Sequence, residues 1–105
     1  MQITIKPNSL TAKLAARIMK ASTIAIVFGN TIHLYNCSRI DFLKDRKWVS
    51  HEVAHVLQYQ RTGFFKFILL YLFECSRKGY FNNKFEAEAR EKENGNEILN
   101  GIKFL

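Results

Sequence analysis

Apolar and polar residues alternate from Gln2 to Lys6, and the β-branched side chains in this run predict a short strand. Pro7, Asn8 and Ser9 interrupt it. Ser9 is a candidate N-cap for a helix over about Leu10 to Lys20, where Leu10, Leu14 and Ile18 recur at helical spacing. Ser22 to Phe28 (STIAIVF) predicts a second strand and Thr31 to Tyr35 (TIHLY) a third, with Gly29-Asn30 as the turn between them. The first third of the chain therefore reads as a small antiparallel hairpin with a helix packed on it. Asn36 to Lys44 reads as a polar connection.

The rest of the chain is helical in pattern. A helix from about Asp45 to Thr62 ends at Gly63, with Val49, Val53, Val56 and Leu57 as its apolar stripe. Phe64 to Lys78 predicts another helix. Its start, FFKFILLYLF, carries Lys66 as its only charge, which suggests burial on most sides. That run is too short to span a bilayer; a membrane-surface helix helped by Arg77 and Lys78 is the minor alternative. Gly79 to Asn83 reads as a turn, and Asn83 caps a last helix over about Lys84 to Asn94, closed by Gly95. Glu97 to Leu105 reads as a strand or an irregular docked segment. The whole is α+β: a small antiparallel sheet packed on one central helix and two to three further helices.

Composition narrows the picture only slightly. The 105 residues suit a single domain, 1–105, and a hydrophobic fraction of 48% suffices for a core. So short a chain leaves little material for a separate substrate-recognition domain. The formal net charge is +7, from 16 Lys+Arg against 9 Asp+Glu, which favours acidic partners. The basic residues form no block, however, and Asp45 interrupts the densest group, Lys44, Arg46 and Lys47. A basic solvated surface fits this better than a nucleic-acid site. Cys37 and Cys75 stand far apart, in the manner of a reduced chain without a disulfide framework. The N-terminus lacks the pattern of a signal peptide, so a cytoplasmic location is expected, with non-classical export left open.

The chemistry concentrates in His51-Glu52-Val53-Ala54-His55. Residues four apart lie on one helix face, so His51 and His55 can chelate one tetrahedral zinc ion. Glu52 lies about 100° round the helix, beside the metal without pointing at it, where a carboxylate can take a proton from water. Val49, Val53 and Leu57 turn to the core, which leaves the histidines on the flank of the helix, where a cleft can form. A catalytic zinc needs a third protein ligand. Glu86 and Glu88 are both candidates, and spacing does not choose between them. Both also form ordinary i, i+4 pairs, Glu86 with Arg90 and Glu88 with Lys92. His33 is the remaining histidine, in the strand TIHLY. Tyr80, Tyr59 and His33 are candidates to stabilise an oxyanion, and Trp48 to wall the site.

HEVAHVLQYQRTG followed by GYFNNKFEAEAR resembles the small gluzincin-like metallopeptidase domains of bacteria. Within these it is most like the family encoded with extracellular contractile injection systems, and more distantly like intracellular peptidases that cleave phage-type repressors. GNTIHLY is similar to the strand those domains place before the active-site helix. The likeness spans about Phe28 to Arg90. It implies a minimal zincin-like fold, a zinc ion held by His51, His55 and Glu86, Glu52 as general base, and hydrolysis of a peptide or protein substrate. It also implies that the TIHLY strand rims the cleft and pairs with an extended peptide. Those families often carry Pro before the glutamate segment, where this chain has Lys84. Two other readings compete: a non-catalytic zinc-binding interaction module, and a basic membrane-associated protein with an incidental HExxH.

Overall fold

A computed structural model of the chain describes residues 1–95 and 97–105. The fold is α+β. β1 (Gln2–Lys6) leads into α1 (Leu10–Met19), followed by the hairpin of β2 (Ile24–Phe28) and β3 (Thr31–Tyr35). Then come α2 (Arg39–Lys44), α3 (Arg46–Thr62), α4 (Phe64–Asn82) and α5 (Lys84–Lys92), a turn of 3-10 helix (Glu97–Leu99) and β4 (Lys103–Phe104).

The hairpin is antiparallel as its turn chemistry predicts. Phe28 pairs with Thr31, and Gly29 takes the positive φ of 61° that a two-residue connection requires. The sheet as a whole is not antiparallel. Its order is β2-β3-β1-β4, and β1 runs parallel to both β3 and β4. α1 carries the chain across the sheet to β2, which runs opposite to β1, and the hairpin then returns β3 beside β1 in the same direction. A consequence bears on the site: the TIHLY strand β3 is flanked on both sides, so its edge is not free. The free edge on that side belongs to β2.

One face of the sheet supplies Ile3, Ile5, Val27, Ile32 and Leu34 to the core, where they meet Val49, Val53 and Val56 of α3. The other face carries His33, and α1 lies against it. Ser9 both caps α1, accepting from the Ala12 N–H at 3.4 Å, and bonds His33 Nδ1 at 2.8 Å. The periodic residues of α1 point the opposite way to a core stripe. Leu10, Leu14 and Ile18 are 81, 60 and 73% exposed, while Ala12 and Ala16 are buried. Small side chains let the helix axis approach the sheet, and the cap sets which face is presented.

Two further elements depart from the sequence pattern. The connection after β3 contains α2, capped by Ser38 and anchored by Phe42, which is fully buried and packs edge-on to Trp48 at 5.0 Å. A helix this short has one apolar anchor and no readable period. α4 extends past Lys78, with a break at Gly79 (φ 79°, ψ 171°), and it is not buried on most sides. Only Phe67 and Glu74 are buried, because the aromatic cluster of Phe67, Tyr71 and Phe85 uses one face and no described element covers the other.

These exposures separate two substitutions that the sequence alone would rank together. Phe42→Ala should cost about 3–5 kcal/mol by opening a cavity. Leu14→Ala should stay within about 0.5 kcal/mol. Urea denaturation of both variants measures the difference; a large loss for Leu14→Ala would contradict the outward orientation of α1.

Candidate metal centre

α3 begins at the Asp45 cap, whose carboxylate accepts from the Trp48 N–H at 3.2 Å, and runs unbroken to Gly63. With Val49, Val53 and Val56 set into the core, His51 and His55 emerge one turn apart with ring centroids 5.1 Å from each other. α5 lies across them and is tied to α4 at its start. Asn83 accepts from the Phe85 N–H at 2.8 Å and donates to the Tyr71 carbonyl at 3.1 Å, while Glu74 accepts from the Lys84 N–H at 3.1 Å. The last bond uses the backbone N–H of Lys84, which a Pro at this position would lack.

This anchoring delivers Glu86, in the first turn of α5, to both histidines. His51 Nε2 lies 3.0 Å and His55 Nε2 3.2 Å from its Oε1. Ligand atoms of His51, His55 and Glu86 all lie within 4.8 Å of one another. Glu88 goes elsewhere, accepting from Gln58 at 2.7 Å and from Arg61 at 3.0 Å. The choice that spacing left open is thus made by the packing of α5 on α3.

The partners behind the histidines decide what this cluster can hold. His51 Nδ1 meets the Glu93 carboxylate at 2.7 Å, and His55 Nδ1 meets Gln58 Oε1 at 2.8 Å. Gln58 cannot be turned over, since its amide nitrogen already donates to the Phe85 carbonyl at 3.0 Å and to Glu88. Both Nδ1 atoms therefore donate, and both Nε2 lone pairs face a carboxylate. The three side chains converge on one point, where they could hold a metal ion; in the metal-free protein, protons on the imidazoles bridge to the carboxylate. Two imidazoles and a carboxylate are a donor set that suits zinc, and outer partners on each Nδ1 are the usual support for such ligands.

Comparisons with protein families, with characterised proteins and with solved structures found no match. The reading of the centre rests on its own geometry.

Glu52 is buried beside the cluster, at 7% exposure. Burial raises its carboxyl pKa to about 7, partly offset by the adjacent His55 and His51 charges. Glu86 behaves oppositely: burial is outweighed by its bonds to His51 and His55 and by the Tyr71 hydroxyl at 2.5 Å, which together hold it well below the ordinary carboxylate range. Burial disfavours the His51 cation, yet the bonds to Glu86 and Glu93 and the Glu52 charge push its pKa to about 9.

Glu52, His55 and Glu86 open onto a cavity of about 220 Å³ between β2 and α4, walled by Ile24 to Phe28, Phe67, Ile68, Tyr71 and Leu72. A more open recess with Trp48 and Tyr80 on its wall reaches His51 and Glu52. Tyr80 lines both spaces and is half exposed. Burial of the phenol and the Glu86 and Glu52 charges raise its pKa. Tyr59 is committed elsewhere, its hydroxyl donating to the Val27 carbonyl at 3.0 Å, and His33 is held by Ser9 and lines neither space. Sequence reasoning missed Tyr71, Gln58 and Glu93 as partners. Gln58 alone had a signal, lying within the HEVAHVLQYQRTG segment three residues after His55.

These shifts set the pH behaviour of the metal-free protein. The depressed Glu86 contributes stability present above its unfolded value of 4.5 and lost as pH falls. The raised His51 contributes stability complete below 6.5 and lost as pH rises through about 9. Glu52 adds a penalty that grows from 4.5 towards about 7, as an ionised carboxylate becomes buried. In chelator, the melting temperature should therefore fall between about pH 5.5 and about pH 8.5, and zinc should stabilise more at the higher pH because protons no longer compete. Calorimetric melts with and without zinc check this; a zinc effect that shrinks with rising pH would contradict it.

Proposed function

We propose that the chain is a small zincin-like zinc metallopeptidase, with zinc held by His51, His55 and Glu86. The observation that carries this reading is the convergence of those three ligand atoms beside a buried carboxylate, Glu52, at the floor of an apolar cleft. A zinc ion there supplies Lewis acidity, which acidifies water and polarises a peptide carbonyl.

The residues of the chain do the rest. Glu52 takes a proton from water as its oxygen attacks the carbonyl carbon. Glu52 then gives that proton to the amine nitrogen as the C–N bond breaks, leaving a carboxylate and an amine. Its raised pKa, about 7, suits a group that must accept and release a proton near neutrality. Tyr80, on the wall of both recesses, is placed to donate to the oxyanion that develops on the carbonyl. Tyr71 and Gln58 hold Glu86 and His55 in position.

The cleft also supports a substrate class. β2 is an edge strand, and its residues from Ile24 to Phe28 line the cavity. An extended peptide can add to that free edge by main-chain hydrogen bonds. The cavity between β2 and α4 is apolar and takes a hydrophobic side chain next to the scissile bond.

Glu52→Gln should retain zinc with native stoichiometry and lose peptidase activity by about a hundredfold or more. Metal analysis together with a peptide-library assay checks both halves. Retained activity in Glu52→Gln would overturn the mechanism. Stoichiometric zinc with no cleavage by the unmodified protein would favour a non-catalytic zinc-binding module.

A further inference from the structure

α4 turns an apolar stripe to solvent. Phe65, Leu69, Leu72 and Phe73 are 55–78% exposed, and their i, i+4, i+7, i+8 spacing sets them on one face. Single exposed apolar residues are ordinary, whereas a contiguous stripe marks a contact surface. The charges around it have one sign. Lys66 and Arg77 are exposed on its flank, and the Arg77 guanidinium lies 5.6 Å from the centre of the Phe73 ring, whereas Lys78 lies on the far side of the helix. The only acidic residue of α4, Glu74, is buried and occupied by the Lys84 N–H and by Lys78.

We propose that this face docks on an anionic lipid surface. α4 lies along the headgroup region, with Phe65, Leu69, Leu72 and Phe73 toward the acyl chains and the flanking Lys66 and Arg77 against lipid phosphates. This is the composition of an interfacial helix: Phe and Leu on one side, Lys and Arg beside them. No helix among the described residues is long and apolar enough to cross a membrane, so the contact is with the surface. Charge complementarity selects the occupant. A second copy would bring the same two flanking cations against the first, whereas an anionic leaflet pairs with both of them, and the chain carries +7 in total.

Leu72 also lines the cleft, and so does Met19 at the end of α1, which is itself 47% exposed and followed by Lys20. Docking through α4 thus brings the cleft rim to the lipid surface. The docking itself does not depend on the reading of the metal centre, and vesicle binding reports on it separately from peptidase activity.

Vesicle flotation tests it, with phosphatidylcholine alone against phosphatidylcholine containing roughly 30% phosphatidylglycerol. The protein should partition at least about tenfold more strongly onto the anionic vesicles, and about 0.5 M salt should remove most of that gain. Leu69→Ser with Phe73→Ser should cut partitioning by about tenfold or more. Both residues are exposed, so the thermal melt should not move; Lys66→Glu with Arg77→Glu gives an independent variant on the polar flank. Equal partitioning onto neutral and anionic vesicles, or wild-type partitioning by both double variants, would overturn the proposal. So would a concentration-dependent dimer in sedimentation that Leu69→Ser with Phe73→Ser abolishes, since that would assign the face to a second copy.

Discussion

Two imidazole nitrogens and a carboxylate point their lone pairs at the same buried place, and the middle of the molecule is arranged to make them do so. α3 can present His51 and His55 together only because its valine stripe is locked against the sheet. Glu86 reaches them only because Asn83 and Glu74 bind the first turn of α5 to α4. Gln58 joins the two halves, holding His55 with its oxygen and α5 with its nitrogen. In the metal-free protein the imidazoles donate to Glu86, and a metal ion would take the place of those protons.

The two carboxylates of the centre illustrate how environment divides labour. Glu86 is buried but supplied with donors from three side chains, so it stays ionised. Glu52 is buried with fewer donors and sits near Glu86, so its proton is held to near neutrality. Neighbouring carboxylates whose affinities are pushed apart in this way are suited to different tasks, one as an electron-pair donor and one as a proton carrier.

Among the described residues the open cleft and the uncovered helix have one origin. Each helix has one face spent on α3 or on the sheet, and no described element remains to close over β2 or α4. What results is a free strand edge, an apolar recess and an exposed Phe/Leu stripe side by side. Lys66 and Arg77 on its flank keep that stripe from being neutral, and thereby restrict what can meet it.

Local signals were enough for much of this. The strands, the Ser9 and Asn83 caps, the span of α3 and the placing of His51 and His55 one turn apart all follow from side-chain period, capping chemistry and helix geometry, which act within a few residues. Direction and partnership do not. Leu10, Leu14 and Ile18 have the period of a core stripe and face water, because two alanines make the closer contact with the sheet. FFKFILLYLF has the composition of a buried helix and is half uncovered, because no other described element packs on its second face. β1 joined the sheet in parallel, which moved the free edge from β3 to β2. Glu86 and Glu88 are equivalent in local pattern; only the docking of α5 on α3, fixed by contacts more than ten residues apart in sequence, placed one at the histidines and sent the other to Gln58 and Arg61.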